Sequence, residues 1–201
     1  MNKRLVVLVA VLVAALVGIT GTIAWLTDTG EVTNTFTVGN ITMTMDESDV
    51  DNSSADKDRD TANTYHLLPG QQYVKDPQIH IGANSEACYV FIKVENGLAN
   101  IEAVSEQDGY KTIAEQIEEN DWTTLEGVSG VYYKTQAATT EIVDLDIFEQ
   151  LKIGNVDSDT LSDYAQSNIV VTAYAIQQAG FTDATSAYTA VTGVYAQNSN
   201  N

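Results

Sequence analysis

Apolar residues fall at alternate positions through much of this chain, the period of strands with one buried face. Residues 34–45 alternate threonine with Phe36 and Val38, then with Ile41, Met43 and Met45. The phase slips at Gly39-Asn40, which predicts a bulge or a strand break. Residues 46–60 are acidic and polar with almost nothing to bury, and read as a solvated loop. A short strand over 65–68 stops at the turn pair Pro69-Gly70. Residues 72–81 are extended, and Pro77, unable to donate to a ladder, marks an edge position or a bulge. Residues 87–95 form the clearest strand, with Cys88, Val90, Ile92 and Val94 on one face.

Further on the period changes. Tyr110, Ile113, Ala114 and Ile117 fall at i, i+3, i+4 and i+7, predicting a helix over 109–119. Residues 122–125 and 131–134 flank Glu126-Gly127-Val128-Ser129-Gly130, a hairpin signal. Residues 142–153 are apolar but fit strands or a short helix equally well. Over 168–177 both faces are fairly apolar (Ile169, Val171, Ala173 and Ala175 against Val170, Thr172, Tyr174 and Ile176), which predicts a central strand. A last helix opens at Thr182 as N-cap, with Asp183 in its first turn, and buries Phe181, Ala184, Tyr188 and Val191. Residues 197–201 form a polar, disordered tail. Short strands separated by turns predict a mainly β fold, an antiparallel sandwich with one or two short helices.

The N-terminus follows different rules. Lys3 and Arg4 precede an uncharged run from Leu5 to Thr27 that is almost wholly Leu, Val and Ala as far as Val17. Small and polar residues follow, and Thr22-Ile23-Ala24 offers small side chains where signal peptidases read them. Residues 1–24 therefore read as a signal peptide cut between Ala24 and Trp25. The run is long enough to span a bilayer as an uncleaved anchor, but its glycines and threonines favour cleavage. Both readings export the rest of the chain.

Cleavage removes two of the nine basic residues and leaves all 28 acidic ones, a net charge of about −21. Such a field excludes nucleic acid as a partner, and limits contact with membrane to the leader before cleavage. Cys88 is the one cysteine, so no intrachain disulfide framework exists. Its strand position makes it a buried thiol.

Candidate chemistry is sparse. His66 and His80 lie in extended segments outside any His-Glu-x-x-His helix, and a zinc site built on them needs a distant third ligand. No Gly-x-Ser-x-Gly elbow, phosphate-cradling glycine loop or Cys-x-x-Cys pair is present. Asp49, Asp51 and Ser53 match positions 1, 3 and 5 of a twelve-residue calcium loop whose last position is Asp60. Ser54 replaces its glycine, and no helices flank it. Calcium is thus the one cofactor the sequence suggests, and an acidic loop more commonly serves as a solvated face.

Several segments resemble one family. Gly21-Thr22-Ile23-Ala24-Trp25-Leu26-Thr27-Asp28 and Asn34-Thr35-Phe36-Thr37-Val38-Gly39-Asn40-Ile41 are similar to the leader and first strand of TasA/camelysin-like exported proteins, whose signal peptides are cut by a SipW-type peptidase in Gram-positive bacteria. Leu68-Pro69-Gly70-Gln71, Lys75-Asp76-Pro77, Ala87-Cys88-Tyr89-Val90, Lys93-Val94, and the run from Val171 to Gln177 with Gly180-Phe181 resemble later parts of that family. The resemblance implies a jelly-roll-like β-sandwich over 34–196, preceded by an N-terminal arm over 25–33. It further implies a secreted cell-surface or biofilm-matrix protein that forms fibres by donating its N-terminal strand to the next copy. The donor would be residues 25–32, with Trp25, Leu26 and Val32 as its buried side chains. Partners are then the signal peptidase, copies of the chain and other matrix proteins. The camelysin label also implies a metalloendopeptidase, for which the sequence supplies no zinc motif. A monomeric surface adhesin or accessory domain is the third reading.

Overall fold

The structure, a computed structural model, describes residues 26–29, 40–51, 58–104 and 110–193. The leader, the Ala24–Trp25 cleavage point, Val32, Ser53, the first part of the 34–45 strand and the polar tail lie outside the described residues.

Among the described residues the chain is mainly β, with antiparallel sheets and three short helices. The strands are β1 (Leu26–Thr29), β2 (Met43–Ser48), β3 (Arg59–Asp60), β4 (Ala62–Tyr65), β5 (Gln72–Val74), β6 (Gln78–Ile81), β7 (Cys88–Asn96), β8 (Thr123–Thr124), β9 (Val131–Gln136), β10 (Val143–Asp146), β11 (Gln150–Lys152) and β12 (Ile169–Gln177). The helices are α1 (Ile113–Glu119), α2 (Ser158–Asp163) and α3 (Ala184–Thr192). One layer has the order β12-β7-β9-β8 and the other β10-β6-β2-β3, while β11 pairs with β5 and β1 with β4.

Inward residues of both layers share one core. Met43, Met45, Ile79, Ile81 and Leu145 meet Val90, Ile92, Val171 and Ala173, closed below by Ile113, Ile117, Trp122 and Phe148. A second cluster forms on the opposite face of β7, where Tyr89 and Phe91 pack with Leu125, Val131, Ala187 and Tyr188. The Phe91 and Tyr188 rings lie 5.2 Å apart, so α3 covers that face.

This double coverage bears on one expectation. Among the described residues β12 stands at the end of its sheet, with β7 between it and β9. Both faces of β12 are apolar because one meets the inter-sheet core and the other meets Tyr188 of α3. Two-sided burial reports what lies above and below a strand, not what lies beside it. β7 and β12 pair over nine residues, from Ile169↔Asn96 to Gln177↔Cys88.

Pro77 breaks a long strand into β5 and β6 and marks a kink in it, not a sheet edge. β6 is flanked on both sides, by β10 and β2. The opposing strand breaks at the same level into β10 and β11, and Ile147 N–H reaches Pro77 O at 3.1 Å while Lys75 N–H reaches Glu149 O at 3.2 Å. The acceptor opposite proline's missing donor, Ile147 O, is satisfied instead by Asn120 Nδ2 at 3.1 Å.

The ambiguous 142–153 stretch resolves into β10 and β11. The strand expected at 65–68 lies earlier, ending at Tyr65. The 122–134 hairpin forms as expected; its Gly130 has φ 71°, and a Cβ there would stand 2.7 Å from Val94 O.

The helices shift by a few residues. α1 starts at Ile113 under a capping box of Thr112 and Glu115, later than the apolar spacing suggested. Ala114 is exposed and Gln116 takes the inward position. Gln116 is buried because it stands in for a strand: its Nε2 donates to Gln150 O at 2.8 Å and its Oε1 accepts from Gln150 N–H at 3.2 Å. The cap of α3 is Asp183, one residue past Thr182, with a reciprocal bond to Ser186. α2 has no buried residue and so left no apolar stripe to detect.

Phe91 is fully buried between β7 and α3. Phe91→Ala should cost about 3–5 kcal/mol, measured as the change in denaturant unfolding free energy, with the β-sheet circular dichroism of the folded baseline unchanged.

Candidate functional site

Strand alternation carries polar side chains into the core at one corner. On β2 the inward series Met43, Met45 is continued by Glu47, which is 4% exposed. Along β5 and β6 the series Tyr73, Lys75, Pro77, Ile79, Ile81 places Lys75 inward, also at 4%. β4 contributes Asn63, at 1%, and Tyr65. Three strands thus aim a carboxylate, an amine and a carboxamide at one another.

The Glu47 carboxylate bridges the other two. Its Oε2 lies 2.8 Å from Lys75 Nζ, and its Oε1 accepts from Asn63 Nδ2 at 2.9 Å. Asn63 Nδ2 also donates to Ser48 O at 2.9 Å, and Asn63 Oδ1 accepts Val50 N–H at 2.7 Å. The Tyr65 ring covers the amine, its centroid 5.8 Å from Lys75 Nζ, and its hydroxyl donates to Val74 O. Burial dominates the electrostatics. It pushes the Glu47 carboxyl up to about 7, against the opposing bond from Asn63 and with help from the charges of Asp60 and Asp76. Burial likewise pulls the Lys75 ammonium down to about 7. Both shifts run toward the neutral forms of amine and acid.

Around this buried triad runs a charged rim. Arg59 Nε contacts Asp46 Oδ1 at 2.5 Å, and Arg59 Nη1 contacts Asp76 Oδ2 at 3.0 Å. Ser48 donates to both oxygens of Asp76, at 2.8 Å from its backbone and 2.8 Å from its hydroxyl. These bonds correct the reading of 46–60 as a solvated loop: its two ends are β2 and β3, tied into the sheet. Hydropathy hid this, because the residues that continue the inward alternation there are charged.

The calcium-loop candidates Asp49, Asp51 and Asp60 come together, each offering an oxygen within 4.8 Å of the others. Such a set suits a hard divalent cation. The same carboxylates also close the local backbone: Asp51 Oδ2 accepts Thr64 N–H at 2.6 Å and Asp60 Oδ1 accepts Ala62 N–H at 3.2 Å. Among the described residues this is the one group of three or more His, Cys, Asp or Glu side chains near enough to hold one ion. The zinc candidates His66 and His80 do not join such a group. His66 is exposed. His80 lies on β6, with Nδ1 2.7 Å from Asp144 and Nε2 3.1 Å from Asp46.

Cys88 is fully buried in the inter-sheet core, and burial pushes its thiol up to about 11, so it is an inert apolar filler as its strand position implied. Among the described residues no helix is long and apolar enough to cross a membrane. Strand β1 pairs with β4 from Leu26↔Tyr65 to Thr29↔Ala62, which sets Asp28 opposite the buried Asn63. The candidate N-terminal donor and the polar corner thus meet on one strand.

The sequence had singled out Lys75 only as part of a motif and passed over Glu47, Asn63 and Arg59. The detectable signal was the period of two carried past Met45, and back from Ile79 through Pro77. No protein-family model, curated protein or solved structure matches the chain.

His80 yields a pH dependence. Burial lowers its pKa, but the bonds to Asp144 and Asp46 outweigh that and hold it above the usual value. A raised folded pKa contributes stability that is complete below the unfolded value and fades as pH rises through the folded one. The Tm difference between the wild type and His80→Gln should be largest near pH ~5.5 and shrink toward pH ~8, in a thermal melt series across that range.

Proposed function

We propose that this is an exported structural or surface protein that self-associates through its N-terminal strand, as the resemblance to TasA/camelysin-like proteins implies. The observation that carries the reading is the pairing of β1. It lies just past the expected cleavage point after Ala24, and its only ladder partner is β4, which in turn pairs with no other strand among the described residues. A strand added by backbone hydrogen bonds alone is the means by which one chain completes another's open edge.

Within one chain the strand fills its own acceptor. The same register can be offered by the strand of a second copy, since both copies carry identical β1 and β4 sequences. Exchange of that kind is heterologous: each copy gives at one end and receives at another, so the contact propagates instead of closing. A strongly negative surface keeps the unassembled protein soluble and makes association sensitive to salt. The leader supports placement outside the cell, at the surface or in a biofilm matrix of a Gram-positive-type bacterium.

Two variants test this. Removing residues 25–32 should leave a folded monomer that forms no filaments by electron microscopy and elutes as a single species. In a Cys88→Ala background, cysteines at the paired positions Thr27 and Thr64 should lock β1 onto its own β4 when oxidised and restore assembly when reduced. Filaments from the truncated chain, or assembly indifferent to the oxidised lock, would sink the reading. A wild-type protein that stays monomeric at high concentration favours the adhesin-like alternative instead.

A further inference from the structure

We propose that Lys75 and Asn63 join through a self-formed amide bond between Nζ and Cγ, with Glu47 carrying protons between them. The inference stands on the buried triad and holds whether or not the chain self-assembles.

The geometry contains each part such a reaction needs. The nucleophile is the Lys75 amine, in a site from which water is almost excluded, its side chain and that of Glu47 being 4% and 6% exposed. Exclusion of water leaves the amine less solvated and protects the product from hydrolysis. The electrophile is the Asn63 carboxamide, whose oxygen already receives the Val50 N–H at 2.7 Å. That donor points where negative charge develops when the carbonyl is attacked. The carboxyl group of Glu47 touches both reactants, Oε2 at the amine and Oε1 at the carboxamide nitrogen.

The step balances without any added reagent. Lys75 Nζ attacks Asn63 Cγ as the neutral amine, and the carbonyl electron pair moves onto Oδ1. Glu47 Oε2 accepts a proton from Nζ while Oε1 delivers one to Nδ2. The tetrahedral centre collapses, the Cγ–Nδ2 bond breaks, and Nδ2 leaves as ammonia. The Nζ–Cγ bond is the new link. No oxidant, metal or cofactor enters, and nothing is oxidised or reduced.

The link would also supply a connection that backbone hydrogen bonding does not. Among the described residues β4 pairs only with β1, and β5 only with β11, so no ladder there joins β4 to the β5–β6 line. Outside this corner the ties the structure shows between them are the Tyr65 hydroxyl to Val74 O and the edge-to-face contact of the Tyr65 and Tyr73 rings, 5.8 Å apart. With Cys88 its one thiol, the chain cannot staple these strands by a disulfide.

Intact-mass spectrometry of the purified, folded full chain reads the bond directly. The wild type should weigh one ammonia less than its sequence, and tandem spectrometry of a digest should recover a branched peptide joining residues 63 and 75. Glu47→Gln should slow bond formation by about a hundredfold or more, leaving a folded protein of full sequence mass. Lys75→Met, which lacks the nucleophile, should stay linear and serves as the standard if Glu47→Gln folds poorly. A folded wild type that keeps its full mass after prolonged incubation overturns the proposal. So does ammonia loss with only linear peptides, as a succinimide at Asn96-Gly97 would give. Cross-linking by Glu47→Gln at the wild-type rate would also overturn it.

Discussion

A charge taken out of water must find a partner or be neutralised, and one corner of this sandwich is organised by that constraint. Glu47, Lys75 and Asn63 occupy inward positions on three separate strands that a purely hydrophobic core would fill with Met, Ile or Val. Each is tolerable only because the other two are there. The register of β2 against β6, the kink at Pro77 and the approach of β4 all have to be right for the three groups to meet. The polar corner therefore specifies the fold at a place where apolar packing alone would accept a slipped strand.

The rim reinforces that role. Arg59 reaches Asp46 on β2 and Asp76 beside the Pro77 kink, so charge-assisted bonds add to the short ladder that holds a two-residue strand. His80 similarly spans Asp46 on one neighbouring strand and Asp144 on the other. Around this corner, carboxylates of Asp51, Asp60 and Asp76 act as acceptors that fix local geometry. Abundant negative charge is thereby spent partly inside the structure and only partly on repulsion at the surface.

Much of the β architecture was legible in the sequence because apolar alternation is a direct imprint of a half-buried strand. The β7 strand, the β8–β9 hairpin, the Gly70 turn and the terminal helix were all found this way. Where the imprint failed, a specific cause is visible. Apolar residues on both faces do not say what lies beside a strand: β12 has them because α3 covers its outer face, and among the described residues it ends its sheet. Gln116 is buried through backbone hydrogen bonds that leave no mark in hydropathy, while α2 buries nothing and left no stripe. The polar corner escaped for the same reason: Glu47 and Lys75 obey the period of two but not its usual composition. Asp49, Asp51 and Asp60 were recognised as a spacing, and the fold does gather them, whereas the two histidines remain separate because β6 commits His80 to its neighbours.

The β1–β4 contact spans only four residue pairs, against nine between β7 and β12. Tension applied along the strand axis loads all four rungs at once, in shear, whereas a sideways force peels them open one after another. A filament held by such joints would resist being stretched far better than being unzipped from its end. Its weakest points would be the seams between copies, and each copy would come away with its own sandwich intact.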